Sequence, residues 1–366
     1  MSRRDARKPR LDKEERPRVH EQAERRRELF FLEREPIKQY VRHYGWLEVI
    51  RDYVERRRND GVDRPISYLT FPGPAATDVG MLWRAGLLAR TDSGFPDVVI
   101  CDEEYADEAL GVLGTVRGVS RQPFELAVLN ELVPYFPIDV VNVDIYGAVV
   151  TGHADRREAL RRLAAIRRVI WLQRGQSFLL LLTTSTDDQT ARKYLENILV
   201  QNFDEDDFRE VYLNQYKALD LTPFQDDYRT FVSVVLPKVI GKMARDRGYG
   251  VVEHFTAKYF SRGGHRMLCH SFELEPLGER EPKSKYKPRF KKIRWDRLDE
   301  LSEELSNRAR KLACIAYEQF IPTLLQRDLP DVSEILQANP GLAAEMREQA
   351  ESLIGWESQN EPGHTT

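Results

Sequence analysis

"PISYLTFPGPAATDVGMLWRAGLLA", residues 65–89, carries a whole structural unit in one line. "PISYLTF" (65–71) has the apolar character of a strand buried on both faces. "TDVGMLWRAGLLA" (77–89) has helical apolar spacing and opens on Thr77 and Asp78. Between them lies a tight corner in which Gly73 is flanked by Pro72 and Pro74. The two prolines stiffen that corner and remove N–H donors. A buried strand turning through such a corner into a helix is half of a strand–helix–strand unit, the place where open α/β sheets hold nucleotides.

The same rhythm continues outward. Strands are expected at "PDVVIC" (96–101), "VRGVS" (116–120), "IDVVNVDIYG" (138–147) and "SFLLLLTTS" (177–185). Helices are expected at 102–114, 123–136 and 156–174, the last with an apolar stripe of Leu160, Leu163, Ala164 and Ile170. This alternation predicts an α/β fold with a mostly parallel sheet covered by helices on both faces. After Ser185 the rhythm changes. Thr186 and Gln189 stand in capping-box positions, and helices follow at 206–219 and 223–247, the second broken or kinked at Pro237. "YGVVEHFTAKYFSR" and "HRMLCHSFELEP" alternate with period two around Gly263-Gly264, which predicts an antiparallel β-hairpin ending the sheet.

The 366 residues divide into a charged, proline-broken basic tail (1–27), a helical extension (28–64) with Pro36 opening a helix, and the α/β domain (65–278) with a helical insertion (186–248). A basic connector (279–295), C-terminal helices (296–355) and a polar tail (356–366) complete the chain. Net charge is -3, so overall charge names no partner. Cys101, Cys269 and Cys314 are far apart and form no CxxC pair, which disfavours disulfides and zinc or iron–sulfur sites and fits a reducing cytoplasm. His254, His265 and His270 lie on the hairpin, but 265 and 270 differ by an odd number and face opposite ways on a regular strand, so no metal is expected. The basic N-terminus has no apolar core of a secretory signal, and the longest apolar run, "SFLLLLTTS", is strand-sized. P-loop, G-x-G-x-x-G and G-x-S-x-G patterns are absent.

Parallel strand–helix units finished by an antiparallel hairpin resemble the class I S-adenosylmethionine-dependent methyltransferase fold, over roughly Pro65 to Pro276. The chain also resembles the bacterial three-Cys-motif partner proteins, which share that Rossmann-like core. The resemblance implies S-adenosylmethionine as cofactor and marks three strand ends. The first is the Phe71–Gly73 corner, where the family has an acidic residue and several glycines; here Thr70 stands in the acidic place, and Asp78 is the candidate replacement. The second is Asp102, with Glu103 beside it, for the ribose hydroxyls; Asp102 also suits the N-cap of the next helix. The third is Asp144-Ile145-Tyr146-Gly147, where Asp144 would orient or deprotonate an amine and Tyr146 would stack on a planar substrate. His153 follows in the same loop.

Basic residues at 1–27, 156–174 and 283–294, the last with Tyr286 and Phe290 interleaved, form a candidate phosphate-binding surface for nucleic acid. A catalytically inactive scaffold that docks nucleic acid or a partner protein is the alternative, and no membrane association is expected.

Overall fold

The apolar runs become seven strands of one sheet in a computed structural model that describes residues 35–145, 147–195, 227–277 and 329–353. They are β1 (Tyr68–Thr70), β2 (Val98–Cys101), β3 (Gly118–Ser120), β4 (Val140–Asp144), β5 (Phe178–Ser185), β6 (Tyr249–Phe260) and β7 (Arg266–Pro276). Their order is β3-β2-β1-β4-β5-β7-β6. The first five are parallel, and β7 runs antiparallel to both β5 and β6. The chain builds outward from β1 to β3, then returns to the other side of β1 for β4. The direction of winding therefore reverses between β1 and β4, which is the switch point where such sheets hold ligands.

The helices are α1 (Pro36–Tyr40), α2 (Glu48–Asn59), α3 (Thr77–Arg84), α4 (Ala106–Leu113), α5 (Phe124–Ala127), α6 (Arg156–Ala159), α7 (Arg161–Leu172), α8 (Tyr228–Arg245), α9 (Val332–Ala338) and α10 (Pro340–Leu353). A π-helical segment, Val41–Leu47, joins α1 to α2. The leucine run of β5 shows why both faces need cover. Leu180 and Leu182 pack with Phe124, Ile166, Val169 and Phe231 of α5, α7 and α8. Leu179 and Leu181 face the other way, into a cluster with Ile50, Val79, Leu82, Ala109 and Met346 of α2, α3, α4 and α10. Each fully buried leucine contributes about 1.5–3 kcal/mol relative to exposure.

Several local expectations are corrected. The helix expected over 123–136 is only α5, followed by a turn and a 3₁₀ segment at Val133–Tyr135. Ser120 and Gln122 donate to the Glu131 carboxylate (2.5 and 2.6 Å), drawing the chain back to the end of β3, while Leu126 and Leu129 stay exposed. The helix expected over 156–174 breaks at Leu160 because the Ala159 carbonyl accepts the Thr151 N–H (3.1 Å) from the preceding loop. The face then rotates, so that Ala165, Ile166 and Val169 are buried and Ala164 is exposed. The cap after β5 is Asp188, whose carboxylate accepts the Thr190 N–H; Thr186 bonds the Arg266 carbonyl instead. Pro237 does not end α8, which continues to Arg245. Burial of nearly every side chain from Phe231 to Ala244 outweighs an interior proline's cost of about 3 kcal/mol. The helix expected at 206–219, the connector at 279–295 and residues 296–328 of the C-terminal helical segment lie outside the described residues.

Candidate functional site at the carboxyl edge of the sheet

β1 ends in Thr70, and the chain turns through Gly73 (φ 61°) and Ala76 (φ 45°) into α3. Left-handed geometry is free for glycine but costs a β-carbon residue about 1–2 kcal/mol, so Ala76 is held there by its surroundings. Pro72 to Thr77 are all buried. Asp78 points back under the sheet. Its Oδ2 accepts the Tyr68 hydroxyl (2.7 Å) and the Thr70 hydroxyl (2.5 Å), and Asn142 donates to the Tyr68 oxygen (2.9 Å). Burial and the adjacent Asp78 charge push the Tyr68 phenol well above its ordinary pKa. Asp78 thus ties β1, β4 and α3 together and is 3% exposed. Phe71 is half-buried, edge-on to Phe124.

Asp102 follows β2. Its Oδ1 accepts the N–H groups of Glu104 (2.8 Å) and Tyr105 (2.7 Å), turning the chain into α4. Burial raises its carboxyl pKa, and the two N–H bonds oppose that rise. Those bonds use one oxygen and leave Oδ2 outside them, so capping and ligand binding are compatible. Glu103 is exposed.

Asp144 ends β4 and pairs with Lys38 of α1 at 3.0 Å; the two side chains are 11% and 20% exposed. Across the sheet Asp144 lies beside Thr183. Among the described residues, Thr183 Oγ1 and Asn142 Oδ1 are buried without a hydrogen-bond partner, on the same sheet face as Asp144. Tyr146 lies outside the described residues. Gly147 passes so close to Arg162 that a β-carbon would sit 2.5 Å from the guanidinium. Arg162 donates to the Ala148 carbonyl (2.8 Å) and to buried Glu125 (3.1 Å), fixing the loop after β4. His153 is exposed; its ring accepts the Asp155 N–H (3.1 Å), a loop-holding role. Phe71–Gly73, Asp102 and Asp144 therefore share one edge, whereas the Asp78 side chain is buried against Tyr68 and Thr70 and His153 is taken up in its own loop. Sequence reading missed Lys38 and the Glu125–Arg162 pair. Nothing local signals them, because each reaches the edge from a distant helix.

At the opposite, amino edge lies a cleft of about 290 Å³ lined by Tyr53, Arg56, Arg57, Arg64, Asp139 and Glu273, among others. Asp139 accepts both Arg64 guanidinium arms (2.7 and 2.9 Å) and the Ser67 N–H and hydroxyl, with Arg57 at 2.9 Å. Glu273 accepts Arg56 (2.7 Å) and lies 2.6 Å from His254. Within the cleft, the three arginines are paired with Asp139 and Glu273.

A family model described as PP_RS20740-like matches residues 32–92, from the start of the N-terminal helices to just before β2. That is well under half of the chain. No curated protein matches. Among solved structures, the chain is similar to a putative Zn-dependent alcohol dehydrogenase from Rhodobacter sphaeroides. Identity is 15% over 57% of this chain and 84% of that one, with a TM-score of 0.29. Among the described residues no group of three or more His, Cys, Asp or Glu is placed to hold a metal ion, and no helix is long and apolar enough to cross a membrane. The architecture itself is a mixed α/β, Rossmann-like sheet with an antiparallel closing pair.

Proposed function

We propose that this chain is a variant S-adenosylmethionine-dependent methyltransferase acting on nucleic acid. The observation that carries the reading is the placement of Phe71–Gly73, Asp102 and Asp144 at one edge, across the switch point between β1 and β4, in a sheet of five parallel strands closed by an antiparallel pair. Asp102 offers Oδ2 to ribose hydroxyls while Oδ1 keeps its cap. Phe71 is an apolar wall beside the corner. Asp144, held by Lys38, is the acceptor for a target amine, and Tyr146 is its stacking neighbour in sequence. The cofactor, when bound, supplies a methyl group already activated by its sulfonium, so the protein's part is to position and desolvate. Calorimetry with S-adenosylmethionine and S-adenosylhomocysteine on the full chain tests this. Micromolar binding weakened at least tenfold by Asp102→Asn, a change that keeps the cap, is expected. No heat at millimolar ligand overturns the reading.

A second reading is a scaffold that has lost its cofactor and docks nucleic acid or a partner protein. It is favoured by the buried Pro72–Gly73–Pro74 corner and by the inward turn of Asp78, which leave that corner without the family's acidic group. The same calorimetry separates the two.

A further inference from the structure

Helix α7 connects the two edges of the sheet. Its first turn is pinned at the carboxyl edge by Arg162 on the Ala148 carbonyl, and its end at the amino edge by Gln173, whose side chain accepts the Ile138 N–H (3.0 Å). From Arg161 to Arg174 this is a path of about 20 Å at the rise of an α-helix.

The outer surface of that path is basic and aromatic. Arg161, Arg168 and Trp171 follow one another at seven- and three-residue spacing, with Arg167 and Arg174 on the neighbouring row. Trp171 is 46% exposed, and the Arg168 guanidinium lies over its ring at 3.9 Å. Among the described residues Arg161 is paired with Glu158 and Glu125, whereas no carboxylate pairs with Arg157, Arg167, Arg168 or Arg174. The Gly175 N–H donates to the Tyr249 hydroxyl (2.8 Å), which joins the end of α7 to the start of β6, just after exposed Arg245 and Arg247 in the chain.

An exposed indole already stacked by a planar cation, flanked by guanidiniums that no described carboxylate pairs, matches an unpaired base with phosphates on either side. A duplex keeps its base faces stacked internally and offers this indole nothing. We propose that α7 is a binding track for single-stranded nucleic acid, with Trp171 stacking on a base and Arg167, Arg174 and Arg157 meeting the backbone. The track leads toward the loop that follows Asp144 at the end of β4. This rests on the nucleic-acid part of the function proposed above and narrows it to unpaired strands.

Fluorescence anisotropy of a labelled twelve-nucleotide single strand and a hairpin duplex, titrated with the full chain over a salt series, tests it. The single strand should bind more tightly. Trp171→Ala should weaken that binding about fivefold or more, with Trp171→Phe retaining most of it. Arg167→Ala with Arg174→Ala should lower the salt slope by about 1.4, the value for two phosphate contacts on a single strand. All these side chains are on the surface, and unchanged thermal melts verify the fold. If the wild-type chain binds neither probe at low salt, both the track and the nucleic-acid reading fall. If it binds but Trp171→Ala binds equally well, the track alone is overturned and binding belongs to another surface.

Discussion

The two edges of the sheet treat their carboxylates in opposite ways. At the amino edge Asp139 accepts Arg64 and Ser67 and is ion-paired with Arg57, and Glu273 accepts an arginine beside a histidine. These charges bolt α2 and the chain after it onto the sheet. At the carboxyl edge Asp102 is bonded at one oxygen by its own backbone turn, and Asp144 meets a lysine from a separate helix. One edge spends its charge on fixing the fold; the other keeps charge partly uncommitted at the switch point. The larger charge cluster therefore lies at the edge away from the switch point.

The largest expected effect tests the bolt. Asp139→Ala strands two guanidiniums and two serine donors, and should cost about 3 kcal/mol in denaturant unfolding, without touching the carboxyl edge. Tyr68→Phe comes next. It removes a donor to Asp78 and an acceptor for Asn142 in a buried network, and should cost about 1–2 kcal/mol by the same assay. Asp102→Asn should change stability by less than about 0.5 kcal/mol, because asparagine caps as well as aspartate. A large loss of stability there would show that the charge itself holds the fold.

The smallest effect is a contrast in pH dependence. The carboxyl pKa values of Asp187 and Asp188 are lowered overall: burial raises them, but hydrogen bonds outweigh it, from Arg266, His265 and Ser185 to the first and from Thr190 and Gly152 to the second. Their stabilisation is present above the ordinary carboxyl pKa and is lost as pH falls through the lowered folded values. Asp102 has the opposite sign. Burial raises its folded pKa, so its contribution falls as pH rises from the ordinary value through the raised one. Melts of Asp188→Asn and Asp102→Asn across acid pH should therefore diverge from wild type in opposite directions.

Much of this was legible in the sequence. "SFLLLLTTS" could only be a strand covered on both sides, and the period-two runs around Gly263-Gly264 gave the hairpin. What misled was apolar periodicity without burial: Leu126 and Leu129 extend a helical pattern but face solvent. Capping was misread because Thr186 and Asp188 compete for the same turn, and the neighbouring β7 carbonyl of Arg266 takes the threonine. Asp102 was legible as a cap because it directly precedes the helical pattern, and its Oδ1 accepts the N–H groups of Glu104 and Tyr105. The inward turn of Asp78 was not, since it depends on Tyr68 and Thr70 pointing to the face that α3 covers. Lys38 on Asp144 was equally hidden, a contact made by a helix that precedes the sheet by some thirty residues.

Hydrogen exchange with and without S-adenosylhomocysteine tests the central claim most directly, because it reads both edges at once. Slowed exchange in 71–80 and 102–105, with none at 53–64 or around Asp139, is the predicted result. Protection confined to the amino-edge cleft, or none anywhere at millimolar ligand, would contradict it.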